Sequence, residues 1–179
     1  MPIVGQFGSL AGFGVLPGGA LESIATVTVG SGGASSITFS DLPSGFQHLH
    51  VRGLLIGVSA NDAGARLNQD SSATAYSWHR LNGNGASATA TAGTSTNNSY
   101  AAVYTTTYGA AFCMDILDVS STSKNKTMRM FGGWDANGSG QVFLHSGLYM
   151  STSAVNAVTI FGVSNFAQHS TLALYGVRA

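Results

Sequence analysis

The sequence predicts an all-β protein, an antiparallel β-sandwich preceded by an extended N-terminal arm. Three observations carry this. From Leu21 onward, short stretches alternate apolar with small polar residues, the two-residue period of a half-buried strand. Clusters of Gly, Asn and Ser separate these stretches and supply turns. No stretch shows a convincing helical period, and no repeat of fixed length points to a propeller or solenoid. At 179 residues the chain fits one domain with room for a sizeable core.

Taken in order, residues 1–19, "MPIVGQFGSLAGFGVLPGG", form the arm, and residues 20–179 form the sandwich. Glycine at the arm's density opposes a helix, at about 1 kcal/mol per residue against alanine. A disordered tail rarely carries so many large apolar groups. Ile3, Val4, Phe7, Leu10, Phe13, Val15 and Leu16 are therefore candidate partner-binding residues, ordered against a neighbouring molecule. The alternative is a first strand folded back onto its own domain.

"SIATVTV" and "SSITFS" read as the first two strands, with "GSGG" (Gly30 to Gly33) as a hairpin loop between them. "HLHVRGLLIG" places Leu49, Val51 and Leu55 on one side. "YSWHRL" sets Tyr76, Trp78 and Arg80 on one face and His79 and Leu81 on the other, and "NGNG" closes it with residues that tolerate positive φ. "GASATATAGTSTNNS" is small, polar and of low complexity, the pattern of a long exposed loop. "YAAVYTTTY", "AFCMDILDV", "KTMRMFGG", "QVFLHSGLYM", "AVTIFGV" and "TLALYGVRA" supply further strands.

Composition narrows the function. Seven basic and seven acidic residues give zero formal charge, and charged residues make up 8% of the chain. A nucleic-acid binder needs clustered Lys and Arg to displace counterions from phosphates. Here Lys124, Lys126 and Arg129 form the one basic cluster, which reads as a solvated turn. So few charges provide little repulsion between copies, which points to a surface covered by copies of itself or by a larger assembly. The single cysteine, Cys113, cannot form an intramolecular disulfide and reads as a buried small hydrophobe. No secretory signal is visible, and no apolar run approaches the roughly 18 residues of a membrane helix, so no membrane partner is expected.

The motifs that tempt toward chemistry fall short of it. "DANGSG" (Asp135 to Gly140) opens like an EF-hand loop, but Ser146 stands where the bidentate Glu belongs and the flanks are strands. It reads instead as a hairpin corner. His48 and His50 lie on one strand face, as in paired-imidazole metal sites, yet no carboxylate or third ligand stands at motif spacing. Asp115 and Asp118, three apart on a predicted strand, face opposite ways and cannot flank one glycosidic bond. There is no G-x-S-x-G and no G-K-[ST]. No metal, cofactor or catalytic residue is expected. Tyr100, Tyr104 and Tyr108 recur every four residues along a predicted strand and so share a face. With Trp134 they form a candidate glycan-binding set, against the alternative of core or interface.

As a set, "LESIATVTVGSGGASSITFSDLPSGFQHLHVRG", "YSWHRLNGNG", "MDILDVSSTSKNKTMR", "GGWDANGSG", "SGLYMSTSAVNAVTI" and "NFAQHSTLALYGVRA" resemble a domain of tailed-bacteriophage virion proteins. The resemblance covers Leu21 to the C-terminus and leaves the arm outside. It implies a jelly-roll sandwich with a structural or attachment role, and it brings no catalytic residues. The expected function is that of a capsid decoration or cement protein on the head surface. Such a protein would be made in the host cytoplasm and would dock as a homo-oligomer, a trimer for instance, on the major capsid protein or other virion proteins. The alternative is a tail or fibre-tip protein that binds a host surface glycan. A metal-dependent enzyme using His48 and His50 ranks below both.

Overall fold

A computed structural model describes residues 21–105 and 108–178, and the arm residues singled out above lie outside the described residues. Twelve strands follow in order: β1 (Leu21–Thr28), β2 (Ala34–Phe39), β3 (His48–Leu55), β4 (Asn61–Leu67), β5 (Tyr76–Gly83), β6 (Ala88–Thr96), β7 (Ser99–Tyr104), β8 (Ala110–Ile116), β9 (Lys126–Asp135), β10 (Gly140–Tyr149), β11 (Val158–Phe166) and β12 (Thr171–Val177). They form two antiparallel sheets, one of eight strands in the order β1-β12-β3-β8-β9-β10-β5-β6 and one of four in the order β2-β11-β4-β7.

The pairing is nested. β1 pairs with β12, β2 with β11, β3 with β8 and β4 with β7, each pair antiparallel. Successive pairs alternate between the sheets, which is a long double-stranded ribbon rolled up, the jelly roll. Two hairpins are added to this frame: β5–β6 between β4 and β7, and β9–β10 between β8 and β11. Both join the same edge of the large sheet, so that sheet continues past β8 while its partner sheet ends at β7.

Alternation along the strands decides what fills the space between sheets. Leu49, Val51 and Leu55 of β3, Met114 and Ile116 of β8, and Met128 and Met130 of β9 face inward and are buried. Ala63, Ala65 and Leu67 of β4, and Val158, Ile160 and Phe166 of β11, meet them from the small sheet. Tyr104 is buried against Phe166, with ring centroids 5.4 Å apart. Its hydroxyl donates to the Ser164 carbonyl at 2.8 Å and accepts from the Ser164 N–H at 3.0 Å.

Several elements differ from the sequence expectation. Residues 30–33 do not close a hairpin, because β1 and β2 belong to different sheets and the turn at Gly33 (φ 69°) carries the chain between layers. The low-complexity stretch is largely a strand, β6, paired with β5 from Ala88 to Thr96. Its small polar residues suit an edge position, where little is packed. β4, "NDAGARL", lacks the strand pattern altogether. It lies inside the small sheet, where Ala and Gly let neighbours approach, and the Phe161 ring occupies the space a Cβ on Gly64 would need. Asp118 falls in the loop beyond β8 with φ 55°, not on the strand. Cys113 is half-buried on the outer side of β8 rather than in the core. The corner at Asp135–Gly140 is a hairpin as expected: Asn137 and Gly138 both take positive φ (52° and 118°), and the Ala136 N–H donates to the Ser139 carbonyl at 2.7 Å.

Lys126 corrects the reading of the basic cluster. Lys124 and Arg129 are exposed and pair with Asp118 and Asp115, whereas Lys126 is fully buried at the start of β9. Its ammonium donates to the carbonyls of Ser121, Lys124 and Thr152 at 2.7, 2.8 and 3.2 Å, tying two loops to one end of the sandwich. Burial lowers its pKa, with Asp118 opposing the shift, and the three carbonyls keep the cation satisfied. Lys126→Met should cost about 2 kcal/mol or more, because hydrogen bonds to a charged group are lost and carbonyls are left unpaired. For a chain of this size that lowers Tm by about 4–8 °C, measurable by calorimetry, and an unchanged Tm would contradict the cage.

Candidate functional site

The four-stranded sheet covers the inner face of the large sheet only in part, and the outer face has no sheet over it at any strand, so the question is what that outer face presents. Register across the strands answers it. One row runs Ala173 (β12), Arg52 (β3), Cys113 (β8), Phe131 (β9), Leu144 (β10), Leu81 (β5), Ala90 (β6), each residue paired to the next. The next row toward the other end of β3 is Thr171, Leu54, Ala111, Gly133, Val142, Gly83, Ala88. Leu54, Phe131, Val142, Leu144 and Leu81 are 41–56% exposed in these rows. Apart from Arg52 and Thr171, two adjacent rows across seven strands carry only apolar side chains, cysteine and glycine. An exposed contiguous apolar patch on this scale marks an interaction surface.

The band has relief. Leu54 and Val142 stand at the ends of a four-residue stretch whose middle is Ala111 and Gly133. The result is a hollow of about 630 Å³ walled by Leu54, Phe131 and Val142, with Cys113 in its lining. A row on the other side is polar: Tyr175, His50, Asp115, Arg129, Ser146, His79. There His50 Nδ1 lies 2.7 Å from Asp115 Oδ1, and Arg129 Nη2 lies 3.4 Å from Asp115 Oδ2. The outer face is therefore an apolar band beside a polar one.

A second constellation sits where the large sheet outruns the small one. Tyr100 of β7 packs edge-on against Trp78 (4.5 Å) and His145 (5.3 Å), and Arg80 stacks on its ring at 4.7 Å. Arg80 in turn is 3.3 Å from Asp62 of β4. Trp78 lies across β6 at Gly93, where an added Cβ would come within 2.5 Å of the indole. Together with Ser95, Asn97 and Asn98, the two aromatics line a shallow hollow of about 440 Å³. Burial raises the Tyr100 pKa.

The candidate glycan set does not come together. Tyr100 lines this hollow, but Tyr104 is buried in the core and Tyr108 lies exposed beyond the end of β7. The reason is a register shift between Ala63 and Gly64 of β4, which pairs Ala102 and Tyr100 with adjacent residues and breaks the alternation the spacing assumed. Trp134 is half-buried at the far end of β9, beside the β9–β10 corner. The residues missed were Trp78 with Asn97 and Asn98, and the outward apolar row. The row did leave a signal: "LL" at 54–55, "MF" at 130–131 and "VFL" at 142–144 make these strands apolar on both faces.

The histidines are held singly. His48 Nδ1 accepts the Asp118 N–H at 2.9 Å and His50 pairs with Asp115. Among the described residues no three His, Cys, Asp or Glu side chains gather as a metal site. Comparison with family models and with curated proteins gives no match.

His145 yields a pH prediction. It is 1% exposed and neither ring nitrogen has a hydrogen-bond partner among the described residues. Burial, with Arg80 adding to it, pushes its pKa down to about 3. Between about 6.5 and about 3 the unfolded chain binds a proton here that the folded chain refuses, so stability is lost as pH falls through that window, by at most ~1.4 kcal/mol per unit. His145→Leu should leave stability at pH 7 within about 1 kcal/mol and flatten the acid limb. Parallel denaturation profiles for the two proteins from pH 7 to pH 4 would contradict this.

Proposed function

We propose that this chain is a non-enzymatic structural protein of a tailed-bacteriophage virion, a decoration or cement protein on the head surface. In this reading it acts by burying the outer face of its large sheet against its own copies and other virion proteins. The single observation that carries the reading is the exposed apolar band over seven strands. Zero net charge and few charged residues support dense packing, since little repulsion opposes it. The resemblance of Leu21 to the C-terminus to phage virion domains supplies the setting.

Burial of an exposed Leu or Phe contributes about 1.5–3 kcal/mol before ordering costs. Phe131→Asp with Leu144→Asp should therefore abolish binding to capsids that lack the protein. Both side chains are exposed, so Tm should stay within about 2 °C of the parent. Full occupancy by this double variant would overturn the reading. Purified virions should carry on the order of hundreds of copies, as shell symmetry requires. A dozen or fewer would favour the tail.

One observation favours a second reading, glycan binding by a tail or fibre-tip protein. Trp78 and Tyr100 supply rings and Asn97 and Ser95 supply polar groups in one shallow hollow, the combination that neutral sugars need. Trp78→Ala should then remove binding on a glycan array, and an array with no binder for the parent protein excludes this reading.

A further inference from the structure

We infer that the hollow between Leu54, Phe131 and Val142 is the seat of the N-terminal segment Ile3–Leu16 of a second copy of this chain. The inference rests on the outer face being an interface and names what covers the hollow in it.

The argument starts from what the hollow lacks and what the chain holds in reserve. The hollow is about 14 Å across, three strand spacings from β3 to β10, and its lining is apolar apart from Arg52 and Thr171 at its β3–β12 side. An extended segment carrying large apolar side chains can lie across such an open trough between Leu54, Phe131 and Val142. Residues 1–20 lie outside the described fold and carry Ile3, Val4, Phe7, Leu10, Phe13, Val15 and Leu16 among small residues. Their glycines let the backbone approach a surface closely, so an apolar slot and an apolar segment with an approachable backbone match in chemistry.

Where that segment starts decides whose hollow it reaches. Leu21 pairs with Val177, which pairs with His48, whereas Thr28 pairs with Thr171, which pairs with Leu54. β1 thus runs toward the hollow, and its first residue lies at the opposite end of the sheet, about 20 Å away along the strands and about 15 Å across them. To reach its own hollow the segment would have to reverse and cross the polar row of Tyr175, His50 and Asp115. Twenty residues extend up to about 70 Å, enough to reach a neighbouring copy as well, and the reversal and the polar row on the way to its own hollow favour the neighbour's.

The lone cysteine makes the test direct, because Cys113 lines the hollow. Ser9→Cys places a second thiol in the middle of the segment without touching its apolar residues. Oxidation of this variant should give a covalent dimer and higher species on non-reducing gels, and adding Phe131→Asp should cut that yield about tenfold. A cyclised monomer would overturn the assignment to a second copy, and no product would overturn the seat itself. Mixing Ser9→Cys, Cys113→Ala protein with unmodified protein should give heterodimers only, and their absence would also overturn it. Failure here together with loss of capsid binding in the Phe131 and Leu144 double variant would leave the outer-face reading intact. Retained capsid binding would sink that reading instead.

Discussion

The unequal width of the two sheets is the constraint on which the rest of this molecule depends. A jelly roll of eight strands would set four against four. The two inserted hairpins add four strands to one side alone, so half of the large sheet has no full partner. Each face of that extension needs its own solution. On the inner side, Tyr100, Arg80, Trp78 and His145 pack into a polar–aromatic seam that closes the open edge. On the outer side, the strands keep apolar residues that a solvated sheet would replace with Thr, Lys or Glu.

That outer composition is costly for an isolated molecule. Edge strands and exposed apolar rows are the features that lead sheets to aggregate, and proteins usually blunt them with charge. Here the adjacent row holds Asp115, Arg129 and His50, which limits the apolar band on one side and gives it a boundary. A bounded apolar band beside a polar one is how specific interfaces are built, with water excluded at the centre and admitted at the rim. The fold thus divides its two faces: the inward one is packed in the core, and the outward one carries the exposed apolar band.

Much of the fold was legible because the two-residue period survives wherever one face is buried. "HLHVRGLL" and "YSWHRL" show it, and their inward residues lie where alternation places them. Legibility failed for identifiable physical reasons. β4 is built from Asn, Asp, Ala and Gly, poor strand formers, and is held by partners on both sides rather than by propensity. β6 reads as a loop because an edge strand with little packed on it needs no apolar face. Tyr100 and Tyr104 share a face only on a regular strand, and the bulge that shifts the register here leaves no sign in single-sequence periodicity. Lys126 looked like a surface charge because its satisfaction comes from three carbonyls remote in sequence order or hidden in turns. The outer apolar band is visible in the sequence only as paired apolar neighbours, whose meaning depends on which strands stand side by side.

Cys113 offers the most direct measurement of the central claim, that the outer face becomes covered when the protein associates. Its reactivity toward a maleimide can be followed from dilute to concentrated protein, and in purified particles. The account predicts a rate that falls at least about tenfold as association proceeds, in step with the associated fraction. A rate independent of concentration and equal in the particle would show that this face stays open, and the account would fail.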